Sequence, residues 1–466
     1  MADTNGSSGL REWVSEPTLG LFRPRRAVVL AAGRSERLRT LTAGGSKAHL
    51  RLGGVSLIER AVGRLLSLGI EDVIVVVGAQ SSPVERLVQR KGPRGARTLF
   101  ADRWMEGNGA SLAAVEPELV DDPVFVVMAA DHVFSYGAIN ELVAASSPSV
   151  LVDEHPEPVV WSEGTRVRIE GGNAVGFSKE LLEPAVDCGA FVPTPAIFEV
   201  QRHAGADGDA SLAGALTRFA AHHPLTALPL PPGAWWHDID APEDVRAARR
   251  SLRGSLCKAS DGPVSRLLNR PISTRISMAI SRLRPNPGAI SVVALLVSAI
   301  GSGLLATGAG IAGGVFVQLG SVVDGIDGEI ARLQYRATAW GGLVDGVLDR
   351  IADAMVVAGL AIWSIHDGTV GAIWAIVLAV AATAGSMLSM ATKDRVRALG
   401  LPEVAENRLN LLLGGRDARL LLVAIAAIAG KPVSGLIAII VTTTITLVAR
   451  LALLARSSAR LERPPG

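Results

Sequence analysis

The sequence predicts an α/β domain, Rossmann-like with a mostly parallel sheet, followed by an all-α domain of six transmembrane helices. Hydrophobic residues make up 49% of the 466 residues and charged residues only 19%, which is too apolar for two water-soluble domains. Neither 288–323 nor 368–392 contains a charged residue, and uncharged stretches of this length are typical of membrane spans. Before them, Val-rich runs alternate with helical patterns, which favours a sheet covered by helices on both faces.

Composition also excludes several classes of protein. Lys and Arg number 46 against 44 Asp and Glu, so the excess positive charge of a typical nucleic-acid-binding protein is missing. The sequence has two cysteines, Cys188 and Cys257, which are too few for a disulfide framework or a structural zinc site. A soluble front half joined to a membrane-embedded back half is the organisation that remains.

The front half is predicted to consist of a flexible tail over residues 1–25 and an α/β domain over residues 26–257. Short apolar runs predict the strands, and amphipathic runs predict the helices. The predicted strands are 27–30, 73–77 and 124–128, with weaker ones near 149–153, 166–170 and 188–198. The predicted helices include 56–68 and, at the end of the domain, 242–252.

Residues 258–287 are predicted to be a linker with an amphipathic helix. Its arginines alternate with Leu, Ile and Met, and they are Arg266, Arg270, Arg275, Arg282 and Arg284. A basic amphipathic segment just before a span is typical of a helix that lies on an anionic membrane surface. The alternative is an ordinary soluble linker helix.

Residues 288–456 are predicted to be the membrane domain, with a short tail over 457–466. The uncharged stretch 288–323 would be roughly 54 Å long as one helix, nearly twice the ~30 Å hydrocarbon thickness, so it must contain two spans that turn near 307–310. Four further spans fit at 341–364, 369–391, 411–430 and 433–455. Arg-rich loops near 332–340 and 393–419 predict a multi-pass protein of the cell (inner) membrane with both termini and both active sites in the cytoplasm.

The first candidate site follows the first predicted strand. The run Leu30-Ala-Ala-Gly33-Arg-Ser35-Glu-Arg37 is succeeded by Ser46-Lys47-Ala-His-Leu50. A turn of small residues after a parallel strand exposes backbone N–H groups to a phosphate chain, and Arg37 and Lys47 would neutralise it. The run is neither a Walker A loop nor a dinucleotide-binding GxGxxG motif. The alternative is an ordinary βα turn with exposed cations.

These residues resemble the opening motif of the sugar-nucleotidyltransferase family, L-A-A-G-x-G-x-R followed by a Lys, with Ser35 in place of the second Gly. The resemblance implies a nucleotide-binding loop at Asn108-Gly-Ala-Ser111 and a metal-binding aspartate at Asp131, after a strand. It implies a second acidic element at Trp236-His-Asp238-Ile-Asp240, in which either aspartate fits as the second metal ligand and Asp238 is favoured. His132, His222 and His223 are interpreted as structural or surface residues.

The second candidate site consists of four aspartates near the predicted cytoplasmic ends of spans two and three. Asp324 and Asp327 are three residues apart, and Asp345 and Asp349 are four apart, so each pair shares one face of a helix. Four such carboxylates would repel one another unless a cation lay between them, and oxygen-only ligands favour Mg²⁺, Mn²⁺ or Ca²⁺. An acidic solvated loop or an ion transporter is the alternative, but carboxylates at membrane depth are usually functional.

The sequence from Asp324 to Asp349 resembles the CDP-alcohol phosphotransferase family, because it matches every fixed position of that family's motif, D-x2-D-G-x2-A-R-x8-G-x3-D-x3-D. The resemblance implies that Asp324, Asp327 and Asp345 bind metal and the CDP pyrophosphate. Asp349 would be the general base and could also touch a second metal, with Asp353 as a supporting residue. The residues implied to shape the cytidine monophosphate pocket are Gly328, Ala331, Arg332 and Gly341.

A basic acceptor pocket is predicted beside this motif. Lys393, Arg395, Arg416 and Arg419 flank the predicted cytoplasmic ends of spans four and five. The run Gly414-Gly-Arg416-Asp-Ala-Arg419 resembles a family element near the acceptor, and a phosphorylated acceptor would explain the cations. Ordinary positive-inside charges are the alternative explanation.

The order of the two domains resembles the bifunctional inositol-phosphate cytidylyltransferase and di-myo-inositol-phosphate-phosphate synthase family over residues 26–455. The resemblance implies CTP, inositol 1-phosphate and Mg²⁺ or Mn²⁺ as substrates and cofactor, CDP-inositol as intermediate, and a homodimer formed through the membrane helices. Two alternatives remain: a phospholipid synthase of the phosphatidylinositol-phosphate type with an inactive or regulatory front domain, and a non-catalytic nucleotide sensor on a membrane anchor.

Overall fold

The computed structural model describes residues 23–33, 38, 46–78, 81–91, 95–206, 211–258, 260–398 and 415–461. The chain divides into two compact units. The first comprises residues 1–50 and 57–242, and the second comprises 51–56 and 243–466. The helix predicted to end the α/β domain therefore groups almost entirely with the second unit.

The first unit is built around a sheet, and the two short strands β2 and β3 form a separate hairpin that belongs to the second unit. In the described part of the chain the strands are β1 (Arg26–Leu30), β2 (Arg51–Leu52), β3 (Val55–Ser56), β4 (Asp72–Val77), β5 (Ala96–Phe100), β6 (Val126–Ala129), β7 (His132–Phe134), β8 (Ser149–Asp153), β9 (Arg166–Glu170), β10 (Asn173–Ser178), β11 (Val186–Val192), β12 (Thr226–Pro229) and β13 (Trp236–Asp238). The helices of this unit are α1 (Leu57–Ser67), α2 (Ser81–Lys91), α3 (Asn108–Ala113), α4 (Glu116–Leu119), α5 (Asn140–Ala144), α6 (Pro158–Glu163), α7 (Ala196–Ala206) and α8 (Leu212–His222).

The main sheet is mixed, with strand order β5-β4-β1-β6-β11-β8-β12-β10-β9. Strands β5, β4, β1 and β6 are mutually parallel, as the Val-rich runs predict. The other half is mixed and departs from the prediction of a mostly parallel sheet. There β8 and β12 are parallel, whereas β11 runs antiparallel to β6 and β8, and β9 runs antiparallel to β10. One reason is local: Gly171 and Gly172 both have positive φ (56° and 82°). Glycines with positive φ at both central positions make the tight turn of an antiparallel hairpin.

The parallel half of the sheet is buried on both faces. Alternate residues of β1 and β4 point to opposite sides, so Val29 and Val75 belong to one hydrophobic cluster and Val28 and Ile74 to the other. Helix α1 covers the first side, and α3, α7 and α8 cover the second. Burial on both faces explains why β1 and β4 are apolar at every position after their first residues, Arg26 and Asp72.

The second unit is helical. Its described helices are α9 (Pro242–Gly254), α10 (Arg270–Ile280), α11 (Pro287–Ala306), α12 (Gly310–Leu333), α13 (Ala339–His366), α14 (Ala372–Ala398), α15 (Arg416–Ile428) and α16 (Pro432–Leu461). Within the described residues, three segments are long and apolar enough to cross a membrane: Pro287–Ala306, Ala372–Val396 and Pro432–Ala452. They correspond to the first, fourth and sixth predicted spans. The turn between α11 and α12 lies at Thr307–Ala309, where the sequence predicts it, with Gly308 at φ 78°.

Helix α10 has its polar side inward and its apolar side outward. Ser273 and Ser277 are buried, whereas Ile272 and Ile276 are exposed, and so is Leu267 just before the helix. Arg270, interpreted from the sequence as one of the cations of a surface helix, is buried and ion-paired to Asp261 and Glu329. Its position corrects that part of the interpretation, because a guanidinium with two carboxylate partners can be buried.

Two candidate active sites

The first site lies where the central parallel strands end. Gly33 follows β1, and Asp131 follows β6, its parallel neighbour. Lys47 lies on a short 3₁₀ turn, Lys47–His49, whose preceding residue Ser46 accepts a hydrogen bond from the Ala48 N–H. The carboxyl ends of adjacent parallel strands open a crevice in which ligands usually bind. Gly33, Lys47, Asn108 and Asp131 line such a cavity, of about 160 Å³.

Lys47 is the central cation of this site. Its ammonium forms ion pairs with Asp131 and with Asp240, the latter at 2.8 Å. Burial alone would lower the pKa of Lys47, but the charges and hydrogen bonds of the two carboxylates outweigh burial and raise it. Burial likewise opposes ionisation of Asp131, yet His132 and Lys47 together hold the pKa of that carboxyl below its usual range. Both groups are therefore charged at neutral pH.

A cluster of metal-ligand type is formed by Asp131, His132 and Asp238, whose ligand atoms all lie within 4.8 Å of one another. Strand pairing creates it, because β13 runs antiparallel to β7 and places Asp238 directly opposite His132. Carboxylate oxygens suit Mg²⁺ or Mn²⁺, so the two aspartates fit a divalent ion. Asp240, the alternative second ligand, is not part of this cluster and pairs with Lys47, as Asp131 also does.

His132 is a site residue that the sequence interpretation missed. Its Nδ1 lies 2.9 Å from Asp131 Oδ1, and its ring stacks on Trp236 with centroids 5.5 Å apart. Burial would lower the pKa of His132, but Asp238, Asp131 and Asp187 raise it to about 9. At neutral pH the ring is therefore a cation that donates to Asp131. An isolated His beside an aspartate carries no spacing that distinguishes this role from a structural one.

A wider cavity of about 950 Å³ extends from this cluster. Besides Lys47, Asn108 and the aspartates, its wall includes Glu163, Lys179, Asp187 and Arg218, none of which belongs to a motif noted in the sequence. Asp187 offered a signal, because it is the only charged residue within the otherwise apolar strand β11. Burial raises the pKa of Asp187 to about 6, against the opposing hydrogen bond from the Gly189 N–H (2.8 Å).

The remaining residues predicted for the first site fall into two groups. Ser111 is buried in α3 and its hydroxyl donates to the Gly107 carbonyl at 3.1 Å, so its side chain is engaged inside the helix. Asn108, at the start of the same helix, faces both cavities. Ser35 and Arg37 lie outside the described residues.

The second site lies in the second unit, on the neighbouring helices α12 and α13. Ligand oxygens of Asp324, Asp345 and Asp349 all lie within 4.8 Å of one another. This all-oxygen donor set fits Mg²⁺, Mn²⁺ or Ca²⁺, as the sequence predicts. Three carboxylates this close also need a positive charge beside them, because their mutual repulsion is strong where water is scarce.

Asp327 differs from the other three carboxylates. It is buried, and its two oxygens accept hydrogen bonds from the Ser291 hydroxyl on α11 and from the Gly328 N–H. Its side chain also contacts Asp345. Asp327 therefore supports the cluster from one side, where it links α11 to the two helices that carry the acidic motif.

Arg416, at the start of α15, lies among the carboxylates. Its Nη1 is 2.9 Å from Asp324 Oδ2 and 2.8 Å from Asp349 Oδ1, and its Nε is 2.8 Å from Asp353 Oδ1. The planar guanidinium fork can bind several carboxylate oxygens at once, which an ammonium group does less well. Arg419, one turn on, is buried and donates to the Ser386 hydroxyl at 3.1 Å. The sequence predicted both residues for an acceptor pocket; the structure places Arg416 directly at the acidic cluster.

The residues predicted to shape the nucleotide pocket lie on the same two helices. A Cβ on Gly328 would come within 3.2 Å of Arg332, and Ala331 and Arg332 are half-buried. Arg332 donates to the Leu256 carbonyl at 3.0 Å. Gly341 is exposed at the start of α13, where its N–H donates to the capping Thr338 hydroxyl. The Gly414 end of the predicted acceptor element lies outside the described residues.

Comparison with known families agrees with this division of the chain. Residues 27–187 match the MobA-like NTP transferase domain, and residues 285–455 match the CDP-alcohol phosphatidyltransferase family. The chain is therefore a transferase that combines a nucleotidyltransferase domain with a helical CDP-alcohol phosphotransferase domain.

Comparison with individual proteins identifies the family of the chain more narrowly. It is 34% identical to the bifunctional IPC transferase and DIPP synthase of Rubrobacter xylanophilus, over 88% of this chain and 92% of that protein. It is 33% identical to the protein of the same name from Archaeoglobus fulgidus, over 87% and 79%. The chain belongs to the bifunctional IPC transferase and DIPP synthase family. The solved inositol-1-phosphate CTP transferase of T. maritima aligns with 50% of this chain and 99% of its own, at 21% identity and a TM-score of 0.45.

Proposed function

We propose that this protein catalyses two consecutive reactions. The first transfers a cytidylyl group from CTP to inositol 1-phosphate, which gives CDP-inositol and pyrophosphate. The second transfers the phospho-inositol group of CDP-inositol to an inositol phosphate and releases CMP. The observation that supports this most strongly is the presence of a separate, cation-bearing carboxylate cluster in each of two transferase domains.

In the first reaction, two anionic phosphates must approach each other. The turn at Gly33 and the cation Lys47 are suited to bind the triphosphate, with the nucleotide beside Asn108. Arg37 is assigned to the same role from the sequence motif alone. Lys179 and Arg218, on the wall of the wider cavity, are suited to bind the phosphate of the attacking inositol phosphate. Asp131 and Asp238 would hold Mg²⁺ or Mn²⁺, which screens negative charge on the phosphates when it is bound.

In the second reaction, a hydroxyl of the acceptor attacks the phosphorus next to inositol. We assign Asp349 as the group that accepts the proton of that hydroxyl; its membership of the carboxylate cluster and its contact with Arg416 support this assignment. Asp324 and Asp345, with Asp349, would hold the divalent ion, which stabilises charge on the leaving CMP when it is bound. Arg416 and Arg419 favour an acceptor that itself carries a phosphate.

The membrane arrangement belongs to the same proposal. Helices α11 to α16 would be six spans of the cell membrane, with both termini and both active sites in the cytoplasm. The exposed residues Leu267, Ile272 and Ile276 support a membrane-surface position for α10, because its polar side is already used inside the protein. A homodimer formed through the membrane helices is part of the proposal on the basis of the family resemblance.

Radiolabelled CTP tests the proposal directly. Full-length protein in detergent with Mg²⁺ and inositol 1-phosphate should yield labelled CDP-inositol and, with more inositol phosphate, an unlabelled phosphodiester and labelled CMP. In the Asp131→Ala variant, the rate of CDP-inositol formation should fall by a factor on the order of 10²–10⁴. The same variant should still form the phosphodiester from supplied CDP-inositol.

The same assay separates the alternatives. Failure to form any CDP-alcohol from CTP would contradict an active front domain. Mass analysis with phosphorylated polyols and lipid acceptors would then identify the acceptor, and transfer to a lipid alone would support a phospholipid synthase instead.

A further inference from the structure

A short segment before α10, residues Leu256 to Asp261, contacts the helix that carries the acidic motif. The Leu256 carbonyl accepts a hydrogen bond from Arg332 Nη2 at 3.0 Å. Asp261 accepts from the Lys258 N–H at 2.8 Å and from Arg270 through two contacts of 2.8 and 3.0 Å. The backbone of the segment is thus held at both ends, on one side by a residue of the motif itself.

A buried ion pair fixes this segment on α12. Glu329, which directly follows Gly328 of the motif, is fully buried. It accepts hydrogen bonds of 2.6 Å from Arg270, from Ser273 and from Ser277. A buried carboxylate is stable only with such a set of donors, so Arg270 and the segment bound to it have little freedom to move away from α12.

Lys258 is therefore held beside the acidic motif. Its side chain is exposed, and within the described residues its ammonium group forms no hydrogen bond or ion pair. Although the residue is accessible to solvent, the protein atoms around it partly desolvate the ammonium group. This desolvation, followed by the nearby positive charges of Arg332 and Arg270, lowers the pKa of Lys258, while Asp261 and Asp345 act in the opposite direction. A lysine beside two arginines and within the field of Asp345 is suited to an anion that lies between these cations.

We propose that Lys258, together with Arg332, binds a phosphate of the CDP-alcohol, a nucleoside diphosphate ester, in the second reaction. This inference rests on the proposed transfer from CDP-inositol. The substrate brings a charged pyrophosphate to a cluster of carboxylates, so cations beside the cluster are needed to reduce the repulsion between these groups. Lys258 is a substrate-binding residue supplied from outside the membrane helices. It precedes Arg270, the first residue of α10, by twelve positions, in a segment that the motif does not include.

Kinetics of the second reaction test the assignment. Lys258→Gln should raise KM for CDP-inositol about tenfold and change kcat less than about twofold, because a lost charge-assisted contact to a ground-state phosphate weakens binding. Lys258→Arg should restore most of the affinity. The matched control is Lys431→Gln, in the loop between α15 and α16. CDP-inositol formation from CTP should be unchanged in each variant.

Cysteine labelling gives a readout that does not depend on turnover. Cys257 is exposed next to Lys258, whereas Cys188 is fully buried, and burial raises the pKa of its thiol. CDP with Mg²⁺ should protect Cys257 from maleimide in the wild-type protein. About ten times more CDP should be needed for the same protection in Lys258→Gln.

An unchanged KM and unchanged protection in Lys258→Gln would overturn the inference. The inference would also be overturned if Lys258→Gln changed only the Mg²⁺ concentration that the second reaction requires. That result would make Lys258 a counter-ion of Asp345 alone. If the wild-type protein formed no phosphodiester from CDP-inositol while CDP still protected Cys257 in a Lys258-dependent way, the proposed reaction would fail and the nucleotide-binding role would be supported.

Discussion

The two acidic sites of this protein use similar electrostatics but are assembled differently. In the first unit, Lys47 pairs with Asp131 and with Asp240, 193 positions further along the chain. In the second unit, Arg416 pairs with Asp324, Asp349 and Asp353, which lie on two consecutive helices. One site depends on strands brought together by the whole sheet, and the other depends mainly on the period of a helix. The difference explains why one continuous motif contains the carboxylates of the second site, whereas those of the first site are scattered along the chain.

The central cations of the two sites also differ in the number of carboxylates that each contacts. Lys47 is a point charge shared by two carboxylates, whereas the guanidinium of Arg416 contacts three through its planar fork. Each arrangement keeps carboxylates together at short distance. Substitutions that remove a carboxylate or a cation should therefore separate the two reactions and show how far each cluster depends on its cation.

The largest effect is expected from Asp349→Asn. An amide of the same shape cannot accept the proton of the acceptor hydroxyl, so phosphodiester formation should fall by a factor on the order of 10²–10⁴. Labelled CDP-inositol should accumulate from CTP, because the first site is unaltered. Near-normal transfer by this variant would show that the base assignment is wrong.

A smaller effect is expected when the cation of the second site is removed. Arg416→Gln removes the guanidinium that three carboxylates share, which should destabilise the protein in EDTA by about 3–5 kcal/mol. Mg²⁺ should recover more of the stability in this variant than in the wild type, because a divalent ion can replace the lost charge. Thermal denaturation with and without Mg²⁺ measures both, and Arg416→Lys is the control that keeps the charge but not the fork. Equal Mg²⁺ effects in all three proteins would contradict a shared cation position.

The smallest effect concerns Asp187, in the wall of the first cavity. Burial raises its pKa from the usual 3.8 to about 6. A folded-state pKa above the unfolded one contributes stability that is complete below about pH 4 and lost as pH rises through 6. The stability of the Asp187→Asn variant should therefore depend less steeply on pH between pH 4 and 6.5 than that of the wild type. Thermal denaturation of the metal-free protein measures this dependence. A pH dependence as steep as that of the wild type would contradict the raised pKa.

Much of the fold could be predicted because the informative patterns are local. The Val-rich runs predicted β1, β4 and β6, and the uncharged stretches predicted α11 and α14. The mixed half of the sheet could not be predicted in the same way, because β11 pairs antiparallel with β8, and β12 pairs parallel with β8, across long stretches of chain. Only the hairpin at Gly171 and Gly172 had a local signal.

The geometry of the acidic cluster follows from the sequence more directly in the second site than in the first. The spacings of Asp324, Asp345 and Asp349 determine their relative positions as soon as two helices pack side by side. His132 and Asp187 were missed because their roles come from a cross-strand partner and from the depth of a cavity, neither of which follows from spacing. Arg270 was misinterpreted because its partner Glu329 lies on another helix.

By itself, the sequence determined the two transferase classes, the apolar helices and the family to which the chain belongs, since these depend on composition, period and short motifs. Tertiary structure alone decided which carboxylate faces which cation. Ion pairs such as Lys47 with Asp240 and Arg416 with Asp353 join residues far apart in the chain. Coulomb energy depends on distance in space and on burial, and only the folded chain sets both.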